Sequence, residues 1–230
     1  MATSPAALTP LMPAIIRFSH VTVSVPDKTL LHDVSFTVNT GDKAVLCGKS
    51  GSGKSTVLKT LLGLLPVQEG VIEFQGQPLN VATLALIRRH TAYIGQEPVL
   101  GAETVHEALL LPFRFKAHRD ALPSPARLEE VLARLGLSPA LLAQDCARVS
   151  GGEKQRLALA RGLLLGKSVY LLDEVTSALD EDSKQAVFAV FADPALTVLS
   201  VAHDPDWLAC CTKMWQMADG CLSEVSHEYA

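Results

Sequence analysis

An α/β fold is predicted by the sequence: a mainly parallel sheet covered by helices on both faces, entered through antiparallel strands and interrupted by an inserted helical subdomain. Three observations carry this expectation. The run Gly48-Lys49-Ser50-Gly51-Ser52-Gly53-Lys54-Ser55-Thr56 sits between an apolar strand-like stretch, Ala44 to Cys47, and an apolar-rich helical stretch, Thr56 to Leu62. Beyond residue 150, strand-like and helix-like segments alternate, the pattern of parallel strands joined by crossover helices. From Ile15 to Val38 the chain alternates around the turn residues Pro26-Asp27, as short antiparallel strands do.

Asn39-Thr40-Gly41 turns the chain into the strand Ala44 to Cys47. The run that follows fits the phosphate-loop pattern G-x-x-x-x-G-K-[ST] at every fixed position. Its glycines let the backbone close around phosphate, so that successive N–H groups and the positive end of the next helix face the anion. Lys54 then reaches the terminal phosphates, and Ser55 offers a hydroxyl to a magnesium ion bridging them. Val71 to Phe74 adds a strand, and Gln75 to Pro78 a turn. After the strand Tyr93-Ile94, helical periodicity broken by prolines at 112, 123, 125 and 139 reads as the inserted helical subdomain, approximately residues 97–160. The helix Gly152 to Leu165, the strand Val169 to Leu172, the helix Asp182 to Phe191 and the strand Thr197 to Val201 complete a core of the P-loop NTPase type.

The chain has 230 residues, 48% of them hydrophobic, enough for one globular domain over residues 14–230. Residues 1–13, rich in alanine and proline and without a basic segment, read as a flexible leader and not a signal peptide. No apolar run approaches the roughly 18–20 residues a membrane span requires, so any service to a membrane is expected from outside the bilayer. A net charge of -4 argues against nucleic acid as a partner, which calls for a concentrated basic face. The five cysteines, Cys47, Cys146, Cys210, Cys211 and Cys221, show no C-x-x-C spacing and suit a reducing compartment.

Val169 to Leu172 runs directly into Asp173-Glu174, which sets two carboxylates at the carboxyl end of a buried strand, where open α/β sheets hold their ligands. Asp173 can hold a water of the magnesium shell, and Glu174 can polarise the water that attacks the terminal phosphate. Between the two halves lies Val149-Ser150-Gly151-Gly152-Glu153-Lys154-Gln155-Arg156. Small residues and a hydroxyl at a helix start form a second surface of exposed N–H groups, though a simple helix cap looks the same in isolation.

This segment resembles the signature sequence of the ATP-binding cassette (ABC) family, usually Leu-Ser-Gly-Gly-Gln, with departures at Val149 and Glu153. The resemblance covers about Ile15 to Val225. It implies that Gln96 joins the core to the helical subdomain and touches magnesium, and that Ser177 to Asp180 forms a loop crossing to a partner subunit. It implies further that His203 holds the γ-phosphate and orients the water. Nucleotide contacts are then expected from Gly48 to Thr56, Gln96, Ser150, Gly151, Gly152 and Asp180, magnesium contacts from Ser55, Gln96 and Asp173, and catalysis from Glu174 and His203. An aromatic residue normally stacks on adenine; the corresponding position here is Val25. Glu153 is expected to point away along the helix surface, since a charge aimed at an opposing phosphate would be unfavourable.

What the resemblance implies for the whole is an ATPase with ATP and Mg²⁺, acting as a homodimer that sandwiches two nucleotides. It would drive a separate transmembrane permease from the cytoplasmic, inner face of the plasma membrane. Among unfused cassettes it is similar to the ATPase subunits of bacterial iron-export and metal-resistance systems. A soluble cassette acting on a macromolecular partner is the alternative, and a kinase using the same phosphate loop is disfavoured by Ser150 to Gly152 and His203.

Overall fold

The computed structural model describes residues 13–225; all of the expected leader but Pro13 lies outside the described residues. Two sheets organise the chain. In the first, β1 (Ala14–Val25) pairs antiparallel with β2 (Lys28–Asn39) on one edge and with β4 (Glu69–Phe74) on the other. The short β5 (Gln77–Pro78) completes the order β2-β1-β4-β5. Phe18 lies opposite Phe36 in this register, and their rings stack with centroids 4.6 Å apart.

The second sheet has the order β10-β9-β3-β8-β7-β6. Its strands β3 (Lys43–Cys47), β6 (Thr91–Ile94), β7 (Val169–Asp173), β8 (Thr197–Val201) and β9 (Lys213–Ala218) are all parallel. Only β10 (Cys221–Glu224) runs against its neighbour. Every residue of β7 and β8 is buried, as expected of parallel strands covered on both faces.

Side-chain alternation divides the interior in two. Val45, Tyr170, Leu172 and Val198 face a cluster built with Leu109, Leu132, Leu157 and Val187. Those partners come from α3 (Val105–Leu110), α4 (Pro125–Arg134), α5 (Gly151–Leu164) and α6 (Glu181–Phe191). Ala44, Leu46, Leu171 and Leu199 face the opposite way, toward Leu58 and Leu61 of α1 (Lys54–Leu61) and toward Phe18 and Phe36. The two layers thus share the parallel sheet as their common wall, with α1 held between it and the antiparallel sheet.

Several elements differ from the sequence expectation. Pro112, Pro125 and Pro139, read as interruptions, instead sit in the first turns of helical segments, where the missing N–H is not needed and the fixed φ helps. The helix α2 (Val81–His90) was not anticipated, although Asn80 caps it by accepting from the N–H groups of Ala82 and Thr83. Nor were β9, β10 and the short α7 (Pro205–Ala209). Asp219-Gly220 joins β9 to β10 with φ of 48° and 79°, and an Asp-Gly pair between apolar stretches is the hairpin signal that would have found them.

The consequence for chemistry is one edge. β3 ends at Cys47, just before Gly48, β6 two residues before Gln96, β7 at Asp173 and β8 two residues before His203, so the carboxyl ends of four parallel strands deliver the predicted residues to the same side of the sheet.

Candidate functional site

The phosphate loop is held tightly from beneath. A Cβ on Gly48 would lie 2.1 Å from the carbonyl oxygen of Met217 on β9, and Gly48 has φ of 136°, so only glycine fits where the loop leaves β3. Lys54, only 7% exposed, donates from Nζ to the carbonyl oxygens of Gly48 at 2.7 Å and Lys49 at 2.8 Å. The loop therefore curls around its own ammonium group.

The start of α1 is chemically distinct. Among the described residues the other six α-helices carry side-chain caps from Asn80, Thr104, Ser124, Ser150, Asp180 and Asp204. α1 begins at Gly53 with no side-chain cap and no acidic residue in its first turn. Its leading N–H groups keep their donors and the positive end of the helix for an anion. Ser52 Oγ adds a buried hydroxyl with no partner.

In front of this loop lies a cavity of about 410 Å³ lined by Ser50, Gly51, Gly53, Lys54, Ser55 and Thr56 together with Gln96, Glu174 and Lys28 to Leu30. Ser55 Oγ donates to Asp173 Oδ1 at 2.8 Å. Tyr93 Oη stands 3.4 Å from Asp173 Oδ2, and burial, then the Asp173 charge, push the Tyr93 phenol above its ordinary range. Nothing in the sequence pointed to Tyr93 as a neighbour of the site. The donor set, a hydroxyl and a carboxylate oxygen in contact, fits magnesium. A hard cation that keeps waters and phosphate oxygens needs few protein ligands.

Glu174 adopts φ of 54°, which is uncommon for a non-glycine residue and costs of order 1–3 kcal/mol. It is fixed there from both sides: its N–H donates to Val201 O at 2.9 Å, and its carbonyl accepts from Ser177 Oγ at 2.8 Å. Gln96 Nε2 donates to Glu174 Oε2 at 3.1 Å. Glu174 also lines a second cavity of about 290 Å³ with Ser177, Leu179 and His203. The predicted Lys54, Ser55, Gln96, Glu174 and His203 thus line two adjoining spaces that share Glu174 as a wall, and Asp173, which lines neither, stands behind Ser55 and is bonded to it.

Ser150, Gly151 and Gly152 line neither cavity. They start α5, where Ser150 Oγ accepts from Glu153 N at 3.3 Å. Gly152 packs against the loop before α6, since a Cβ there would lie 2.9 Å from Ala178 O. The expectation that Glu153 points away is corrected here. Its Oε2 accepts from Ser150 N at 2.9 Å and from Ser150 Oγ at 2.8 Å, a reciprocal cap that satisfies two free donors and draws the carboxylate to the positive helix end. These bonds hold its pKa below the usual carboxylate range. Asp180 is likewise committed to a cap, accepting from Ser183 N at 2.8 Å, and lines neither cavity.

Val25 at the end of β1 is 37% exposed and does not line the phosphate-loop cavity. The residues of that strand pair that do are Lys28, Thr29 and Leu30, just past the turn.

Residues 31–177 match the family described as ABC transporter. A probable iron export ATP-binding protein, FetA, of Escherichia coli (strain K12) is 33% identical over 196 residues, which cover 84% of this chain and 86% of that protein. The energy-coupling factor transporter ATP-binding protein EcfA1 of Lactiplantibacillus plantarum is 35% identical over 223 residues, covering 91% and 78% of the two chains. Among solved structures, a bacterial Atm1-family ABC exporter with ATP bound superposes with a TM-score of 0.82 at 27% identity, over 96% of this chain and 40% of the exporter. The fold is also that of cbiO1 from Clostridium perfringens, with a TM-score of 0.78 at 22% identity over 92% and 87% of the chains.

Proposed function

The chain belongs to the ABC transporter family, and from that premise we propose that it binds ATP with Mg²⁺ at the phosphate loop and hydrolyses it to drive a separate membrane permease. The observation that carries the site is the convergence of Lys54, the Ser55–Asp173 pair and the Gln96–Glu174 pair on one cavity at the carboxyl edge of the sheet. The free N–H groups of α1 and the Lys54 ammonium neutralise the phosphates of the substrate. Ser55 and Asp173 would hold Mg²⁺, which when bound withdraws charge from the β- and γ-phosphate oxygens. Glu174, fixed through its strained backbone and the Gln96 amide, accepts a proton from the attacking water as the new P–O bond forms and the bond to the bridging oxygen breaks. His203 borders the adjoining cavity that shares Glu174 as a wall, and in this reading it serves the γ-phosphate side.

Two copies acting together are part of the proposal. The start of α5 lies away from the chain's own phosphate loop, and a second copy would supply Ser150 to Gly152 to the far side of the nucleotide. The helical subdomain at about 97–160 is the expected route from that site to the permease. No helix among the described residues is long and apolar enough to cross a membrane; a peripheral place on the cytoplasmic face is part of the proposal. For the cargo we propose a metal ion, supported by the likeness to the iron export relative over most of both chains.

The test is capture of tagged Glu174→Gln protein from solubilised membranes of its source with ATP and Mg²⁺. A multi-span membrane protein in equal amount is the expected result, and metal sensitivity on loss of the pair would support the cargo. Recovery of soluble partners alone would overturn the transport reading.

A further inference from the structure

Gln155 stands in the second turn of α5, five residues beyond Ser150, and is only 1% exposed. Its amide Nε2 donates to the carbonyl oxygens of Gly95, at 3.3 Å, and Gln96. Its own Oε1 is buried without a partner. An aliphatic side chain would fill that position without an unpaired polar atom, so packing does not account for an amide there. What the amide supplies is a pair of donors to a loop.

Six residues on, Arg161 repeats the arrangement, donating to the carbonyl oxygens of Val99 at 2.9 Å and Leu100 at 3.1 Å. The stretch from 95 to 100 has no helix or strand of its own, and these two side chains tie its main chain to α5. Gln96 then donates its side-chain amide to Glu174 at 3.1 Å. A continuous chain of hydrogen bonds therefore runs from the body of α5, through Gln155 and the main chain of Gln96, to the Glu174 carboxylate.

We infer that Gln155 is a positioning residue for hydrolysis: it fixes the Gly95–Gln96 main chain to α5 so that the Gln96 amide meets Glu174, making the aim of Glu174 depend on where the first turns of α5 stand. The inference rests on the reading of Glu174 as the group that activates water. It gives the helix start at Ser150 a physical line to the reacting centre of its own chain, although Ser150 lines neither cavity.

The experiment compares wild type, Gln155→Leu, Gln155→Glu and Glu174→Gln in the full chain, measuring ATP binding, kcat and thermal midpoint from pH 6 to pH 8. Gln155→Leu is expected to keep the fold, by its thermal midpoint, and to bind ATP within about twofold of wild type, with kcat lowered about tenfold or more. Gln155→Glu has no donor when ionised, and its burial raises the carboxyl pKa. Relative to wild type its kcat is expected to fall at pH 8 and to recover toward pH 6, where the protonated acid regains one donor. Wild-type kcat in Gln155→Leu, or equal losses of binding and turnover with no pH-dependent recovery in Gln155→Glu, would overturn the inference. Collapse of turnover in Glu174→Gln beside an unaffected Gln155→Leu removes the role of Gln155 alone. Undiminished turnover in Glu174→Gln overturns the reading of Glu174 and this inference with it.

Discussion

Lys54 serves the loop before it serves a ligand, because its ammonium group neutralises the carbonyls of Gly48 and Lys49 at 2.7 and 2.8 Å. Lys54→Ala should therefore lose nucleotide binding and also lower the midpoint of thermal unfolding, since two carbonyls lose a charged donor worth about 1.5–3 kcal/mol. A fluorescent ATP analogue and a melting curve measure the two effects separately. Glu153 makes a pH-dependent contribution. Its folded pKa is depressed by the bonds from Ser150, so the stabilisation is present above the unfolded value and is lost as the pH falls through the folded one. Glu153→Gln should cost about 0.5–1 kcal/mol at pH 7 and nearly nothing at strongly acid pH, as read by urea denaturation at both. The sequence showed Glu153 as a departure from a motif, and its place at the third helical position after Ser150 is the S-x-x-E spacing of a capping box, the signal that would have given its direction.

At the scale of elements, Gly151 and Gly152 separate two kinds of demand. A Cβ on Gly152 would press on Ala178 O at 2.9 Å, whereas nothing lies within 4 Å of one on Gly151. Gly152→Ala should destabilise by about 1–3 kcal/mol, because the loop before α6 must shift. Gly151→Ala should leave the melting midpoint unchanged or higher, since alanine is the better helix former. If the start of α5 meets the nucleotide of a second copy, Gly151→Ala should nonetheless lose turnover, and melting set against ATPase rate distinguishes the two variants. The strands on either side of the phosphate loop were legible because each is short, apolar and bounded by a glycine or carboxylate. α2 was not, for only Ile87 of its large apolar residues is buried, while Val81, Leu84 and Leu86 are exposed or half-buried and give no single apolar stripe. The first turns begun by Pro112, Pro125 and Pro139 were misread because proline both ends one helix and starts the next.

For the whole molecule, the proposal of a two-copy ATPase predicts that Glu174→Gln with ATP and Mg²⁺ runs as a dimer in light scattering and returns to a monomer when nucleotide is removed. Adding Glu153→Gln should strengthen that dimer if the signature face meets phosphate, because one negative charge leaves the meeting surface on each copy. The division of the interior by the parallel sheet was predictable from the alternation of strands and helices. The strand order was not, because β3 takes its neighbours from the far end of the chain: Lys43 lies opposite Val198, and Ala44 opposite Lys213. That pairing has a consequence in time. The turn at Gly48 is shaped by Met217, so a nascent chain carries its phosphate loop exposed and unshaped until some 170 further residues have been made, roughly 10–30 s of synthesis. Such distant contacts also favour slow folding. A ribosome-stalled chain released from the exit tunnel only as far as β8 should fail to retain ATP, and one released past β10 should retain it, which makes nucleotide capture wait on a strand made long after the loop itself.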